Sequence, residues 1–232
     1  NYAHNVMRDN HITFTRGSSF GIAVNSPFHA IDEMEIIDKY ISATEEYTDY
    51  TFTGISVQGG SSDNFLINDN TIDLHCTYGV SKGRYGIHLF EASGEGNTIN
   101  SNIINGLPTG TSFSADACIF LRNAQNTLIC TNTMDRVTNG LLFNEDCDFT
   151  VASKNIIQNH NCGLRIAVDQ FPIGPSLIGV QDRFGNIWND NYPGTSFAAI
   201  NEVPAIDVPL SQFFAESPAL EITPVDIMAA AP

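Results

Sequence analysis

Two columns of residues recur down this chain at the same irregular interval, and no other feature restricts its fold as tightly. The first column is a small residue followed by alternating apolar and other residues. It reads Gly21-Ile22-Ala23-Val24, Gly54-Ile55-Ser56-Val57, Gly86-Ile87-His88-Leu89, Cys118-Ile119-Phe120-Leu121, Gly140-Leu141-Leu142-Phe143 and Gly163-Leu164-Arg165-Ile166, at steps of 33, 32, 32, 22 and 23 residues. The second is an apolar residue, two further residues, Asn, one residue and another apolar. It reads Met7…Asn10…Ile12, Ile67…Asn70…Ile72, Ile99…Asn102…Ile104 and Ile129…Asn132…Met134, with a degraded copy at Ala152…Asn155…Ile157. Ile36…Lys39…Ile41 fills the second turn of the pattern with Lys in the Asn slot.

Each segment alternates apolar with polar at period two and is too short for a helix, so it reads as a strand. A four-residue strand cannot bury its apolar face alone. Stacking copies at roughly 4.8 Å builds a continuous core and pairs the backbone along the stack. Ile22, Ile55, Ile87, Leu141 and Leu164 are expected to point inward in one column, with Val24, Val57, Leu89, Leu121 and Phe143 in its companion. The apolar residues flanking Asn are five apart, so the strand must bend between them. Asn tolerates left-handed backbone there, and its amide can bond the Asn one turn above or below.

The two columns together resemble the right-handed β-helix repeat family, the pectate-lyase-like fold, over about residues 4–167. The resemblance implies an all-β, right-handed parallel β-helix, a single-stranded solenoid of about six rungs, in residues 1–167. The repeat then fades. Eight of the ten prolines lie in 168–232, and proline cannot donate to a ladder inside a sheet. Gly185-Asn186-Ile187-Trp188 is a candidate last strand, and the remainder reads as an extended capping or tail segment. That tail resembles the region after the repeats in secreted multidomain proteins of the Bacteroidetes type. The chain opens Asn1-Tyr2-Ala3-His4 with no targeting pattern, as expected of a piece of a longer protein.

Charge narrows the partners. There are 26 acidic residues against 10 Lys and Arg, a net charge of −16. Nucleic acid and anionic membrane both need a basic footprint, so neither is expected. No apolar run reaches the roughly 18 residues of a bilayer span. The acidity and the absence of any Asn-x-Ser/Thr sequon fit a secreted or cell-surface bacterial protein. Cys76, Cys118, Cys130, Cys147 and Cys162 form no CxxC pair, and small buried hydrophobes is the expected role.

The connections at 42–53, 74–85 and 106–116 are long, whereas those at 136–139 and 158–162 have about four residues. Long loops on one flank of a rigid scaffold build a wall where function is carried. In the resembled family substrate lies on the outer face of the strand that follows the longest loops. Here that face carries Ala23, Ser56, His88, Phe120, Leu142 and Arg165, beside Asn25, Gln58, Phe90, Arg122, Asn144 and Ala167. An outward patch of Phe90, Phe120 and Leu142 calls for a partner. His88, Arg122 and Arg165 surround it, and Arg84 and Tyr85 enter the same turn. Aromatic faces stack on sugars and Arg pairs with carboxylates, so an acidic polysaccharide is the expected ligand. Glu91 and Glu145 flank the patch as candidate carboxylates, and Asp116, Asp146 and Asp148 are candidate calcium ligands, no other cofactor being implied. None makes the acidic clusters that resembling enzymes carry, and no EF-hand, P-loop or dinucleotide motif occurs. A glycan-binding module of a larger chain, a uronate lyase or epimerase, and a plain structural spacer are the three readings.

Overall fold

The computed structural model describes residues 5–14, 19–26, 34–43, 52–59, 64–74, 84–106, 117–168, 176–181, 185–189, 197–203, 211–213 and 227–229. Within them the chain is all strand, with no helix. The strands come in threes. β1 (Asn5–Arg8), β2 (His11–Phe14) and β3 (Ser19–Ser26) are followed by β4 (Met34–Ile37), β5 (Tyr40–Ala43) and β6 (Phe52–Gly59). Next come β7 (Leu66–Asn68), β8 (Thr71–Leu74) and β9 (Arg84–Phe90), then β10 (Asn97–Asn100), β11 (Ile103–Asn105) and β12 (Ala117–Arg122). β13 (Thr127–Cys130) leads into a long β14 (Thr133–Asn144), and β15 (Val151–Ser153) into an equally long β16 (Ile156–Ala167). β17 (Gly179–Gln181), β18 (Ile187–Asn189), β19 (Phe197–Asn201), β20 (Ser211–Phe213) and β21 (Ile227–Ala229) complete the series.

Every first strand pairs with the next first strand, giving the six-stranded sheet β1-β4-β7-β10-β13-β15. The second and third strands stack likewise, and β14 and β16 each run from one stack into the other, joining them as one sheet. The four-residue connections expected at 136–139 and 158–162 are therefore continuous strand, turned at Arg136 (φ 57°) and Asn159 (φ 49°). All these pairings are parallel, and the arrangement is consistent with a parallel β-solenoid. Past residue 167 the described strands keep the same pattern. Ile157 registers with Trp188, and Leu164 with Ala199 and then Ile227. None of β17–β21 contains a proline, as the ladder requires.

Both apolar columns point inward. Ile55, Ile87, Ile119, Leu141 and Leu164 are buried beside Val57, Leu89, Leu121, Phe143 and Ile166. Ile22 is buried at the edge of the stack, and Val24 only half-buried. The small residue of the first column answers to space. A Cβ on Gly54 would lie 2.7 Å from the carbonyl oxygen of Gly86, and one on Gly86 2.5 Å from that of Cys118. Each would also press on a core isoleucine, Ile72 or Ile104, so the column lets one turn settle on the next.

The amide ladder is continuous from Asn70 to Asn186. In each step the backbone N–H and the Nδ2 of one Asn both donate to the Oδ1 of the next: Asn70 to Asn102 (3.0 and 2.8 Å), Asn102 to Asn132 (2.9 and 2.9 Å), Asn132 to Asn155 (3.0 and 3.0 Å) and Asn155 to Asn186 (3.1 and 2.9 Å). The Nδ2 groups also donate to the carbonyls of Ile36, Ile67, Ile99, Ile129 and Ala152 of the preceding turn. Two expectations need correcting. The left-handed residue is the one before the Asn, namely Asp9, Asp69, Ser101, Thr131, Lys154 and Gly185, and likewise Asp38 before Lys39, all with φ between 53° and 65°. The turn keeps this place even before Lys39 and the exposed Asn10, so it does not depend on the Asn's interior bonds. Nor does Asn10 join the ladder; it is exposed, and among the described residues its Nδ2 donates to Arg8 O, at 3.3 Å.

Candidate functional site

Strand alternation sends every second residue of the third strands outward, and the parallel register lines them up. Ser56, His88, Phe120, Leu142 and Arg165 are successive partners, as are Gln58, Phe90, Arg122, Asn144 and Ala167. The rows expected from sequence are thus adjacent in space. The His88 ring lies flat against Phe120, with centroids 4.6 Å apart and planes 7° apart, and stacks on Phe90 at 6.2 Å. Tyr85 packs on Phe120 at 5.1 Å and on His88 at 5.6 Å. Phe120 departs from the expected outward exposure. It is only 9% exposed, because Tyr85 and His88 of the neighbouring strand β9 cover it. His88, Phe90, Tyr85, Arg122 and Leu142 are half-buried and form the accessible part of the strip.

The cations are committed to partners. Arg122 donates through Nε (3.2 Å) and Nη2 (3.0 Å) to Glu145 Oε1, and its guanidinium lies 5.4 Å from the Phe90 ring centroid. Glu145 is 4% exposed and takes a left-handed turn (φ 59°), with its N–H donating to Ser176 Oγ. Arg165 Nη2 donates to Glu202 Oε1 at 2.6 Å. Arg84 is not part of the strip: it is buried and donates to the carbonyl of Leu74. Alternation changes phase at Gly86, so Tyr85 faces the rings and Arg84 turns into the corner below β8. Glu91 ends β9 in a left-handed turn (φ 54°), with Asn123 in the equivalent position one turn on and Glu145 one turn further. The two carboxylates are therefore not neighbours.

Burial, followed by the Arg122 charge, pushes the His88 pKa down to about 4. Its Nε2 is buried with no hydrogen-bond partner among the described residues. Asp146 accepts from Gln125 Nε2 (2.5 Å) and from the N–H of Asp148, while Asp148 accepts from the N–H of Phe149. Asp116 lies outside the described residues, as do most of the loops at 42–53, 74–85 and 106–116. Among the described residues no group of three or more His, Cys, Asp and Glu side chains could hold a metal ion. Cys118, Cys147 and Cys162 are buried free thiols and Cys130 a partly buried one; Cys76 lies outside the described residues. Burial pushes the Cys147 and Cys162 pKa values up to about 12, which keeps them inert.

A second polar row went unnoticed in the sequence. Ser42, Asp73, Asn105 and Asp135 are partners on the second strands. Tyr40 Oη donates to Asp73 Oδ2 (2.7 Å), Asn105 Nδ2 to Asp73 Oδ1 (2.8 Å) and Asn159 Nδ2 to Asp135 Oδ1 (2.7 Å). The signal was present: Ile72-Asp73, Ile104-Asn105 and Met134-Asp135 repeat the same pair in the same slot. Comparison with known proteins finds no matching family model, no matching curated protein and no matching solved structure.

Proposed function

We propose that the chain is a glycan-binding module, built as a right-handed β-helix of about six rungs in the manner of the pectate-lyase-like family. The crossover rule for parallel strands supports the right hand, and the two recurring columns support the family likeness. The observation that carries the binding reading is the ring cluster in which His88 of β9 lies face to face with Phe120 of β12, with Phe90 and Tyr85 beside it on β9. A cluster of half-exposed rings on a rigid parallel scaffold suits the apolar face of a sugar ring. The strong acidity and the absence of sequons support a bacterial secreted or surface protein. No described helix is long and apolar enough to cross a membrane.

Affinity electrophoresis against a panel of soluble polysaccharides tests the reading. At least one should retard the protein, and His88→Ala and Phe90→Ala should each weaken that retardation by about tenfold, the equivalent of roughly 1.4 kcal/mol. Retardation that survives both changes would place the ligand elsewhere. The same polymers, followed for absorbance of an unsaturated product, separate a binding module from a uronate lyase. The lyase and epimerase readings have less support, because Glu145 is held by Arg122 and Glu91 stands apart from it.

A further inference from the structure

The charges around the strip cancel before any ligand arrives. Arg122 gives two donors to one oxygen of Glu145, a carboxylate that is itself 4% exposed. Arg165 is held by Glu202 at 2.6 Å. Arg84 is turned away toward the Leu74 carbonyl. Among the described residues the titratable and charged groups on the strip and its edges are His88, Tyr85, two Arg–Glu pairs and Glu91, on a chain with a net charge of −16.

From this we infer that the strip takes a neutral pyranose polymer, stacked on His88 and Phe90, and rejects uronate and sulfated chains. The inference rests on the glycan-binding reading and names its substrate class. An anionic sugar would have to draw Arg122 off Glu145, and a buried carboxylate left without its cation is strongly disfavoured. If it did not, it would meet a site of no net positive charge inside a negative field. A neutral ring asks for neither, because a stacked sugar needs the flat ring faces and hydrogen-bonding neighbours such as Gln58 and Asn144. Arg122, lying over Phe90, then acts as a positioning residue for that ring. The imidazole, neutral near pH 7 because burial lowers its pKa to about 4, adds no charge that would call for an anion.

The test uses the whole chain at pH 7 in low salt, with soluble β-glucan and xylan as neutral probes and polygalacturonate and alginate as anionic ones. Titration calorimetry should give binding to a neutral probe at least tenfold tighter than to either uronate, and that binding should not change when salt is raised. Glu145→Gln keeps the side chain's size but removes the charge that neutralises Arg122, so uronate affinity should rise several-fold relative to neutral binding. If Glu145→Gln fails to fold, Glu202→Gln makes the equivalent release of Arg165. Wild-type protein that prefers a uronate, with binding that fades in salt, overturns the neutral assignment and leaves the strip a glycan site. Binding to none of the four probes, with no retardation across the wider panel, overturns the glycan reading itself.

Discussion

Asn102 shows how much one side chain is asked to do. Fully buried, it donates to Ile67 O, Asn100 O and Asn132 Oδ1, and accepts from both Asn70 N and Asn70 Nδ2. Leucine has a similar volume but no polar atom. Asn102→Leu should therefore lower stability in urea by about 2–4 kcal/mol, several buried groups losing partners at roughly 1–3 kcal/mol each. A loss under about 0.5 kcal/mol would show the ladder to be dispensable. His88 makes a prediction of a different kind. Its folded pKa of about 4 lies below the unfolded value of about 6.5. Above pH 6.5 both states are neutral and the full stability is present. As pH falls from about 6.5 to about 4, the unfolded chain takes a proton that the folded chain refuses, so stability drops, by at most about 3 kcal/mol, and then levels off. His88→Phe keeps a stacked ring and removes the titration. The stability gap between variant and wild type should shift in the variant's favour between pH 7 and pH 4.5, and a gap that stays constant would contradict the linkage.

At the level of elements, the ladder has a direction and a first member. Each Asn offers an oxygen to the turn before it, and lysine has none to offer. Lys39 gives its backbone N–H to Asn70 Oδ1 at 3.0 Å but can accept nothing from Asn10. Its ammonium is enclosed, the residue being 2% exposed, with no hydrogen-bond partner among the described residues. Burial lowers its pKa, against the pull of Asp9 and Asp38. β1, beyond it, is the edge strand of its sheet. Met7 is 37% exposed, whereas its register partner Ile36 and, one turn on, Ile67 are sealed. Lys39→Asn should extend the ladder by one member and remove an unpaired cation from the interior. Stability should rise by about 1–3 kcal/mol, and the Asn10 amide should exchange with deuterium more slowly by tenfold or more. Unchanged exchange at Asn10 would mean that something other than the missing acceptor keeps the first turn open.

For the molecule as a whole, a net charge of −16 on 232 residues works against compaction. Raising salt from about 10 mM to 150 mM shortens the screening length from about 30 to 8 Å. The melting temperature should climb, by about 2–4 °C for each kcal/mol of repulsion relieved. A melting temperature that falls instead would give the surface ion pairs more weight than self-repulsion.

Much of this architecture was legible before any coordinates. Apolar residues at period two and Asn at steps near 31 are direct consequences of stacking short strands. The inward columns, the ladder from Asn70 to Asn155 and the pairing of His88 with Phe120 could all be read from spacing alone, because register follows from the repeat. Tertiary structure decided what spacing cannot carry. The turn fell on the residue before each Asn, because backbone geometry at a corner is set by how the two flanking strands pair and spacing does not record it. Arg84 left the strip because the chain bends at Gly86, and alternation does not survive a bend. The charge of the strip was settled by Glu145 and Glu202, 23 and 37 residues from the arginines they hold. Which carboxylate meets which guanidinium depends on how turns stack and where the chain returns, and no local pattern encodes that.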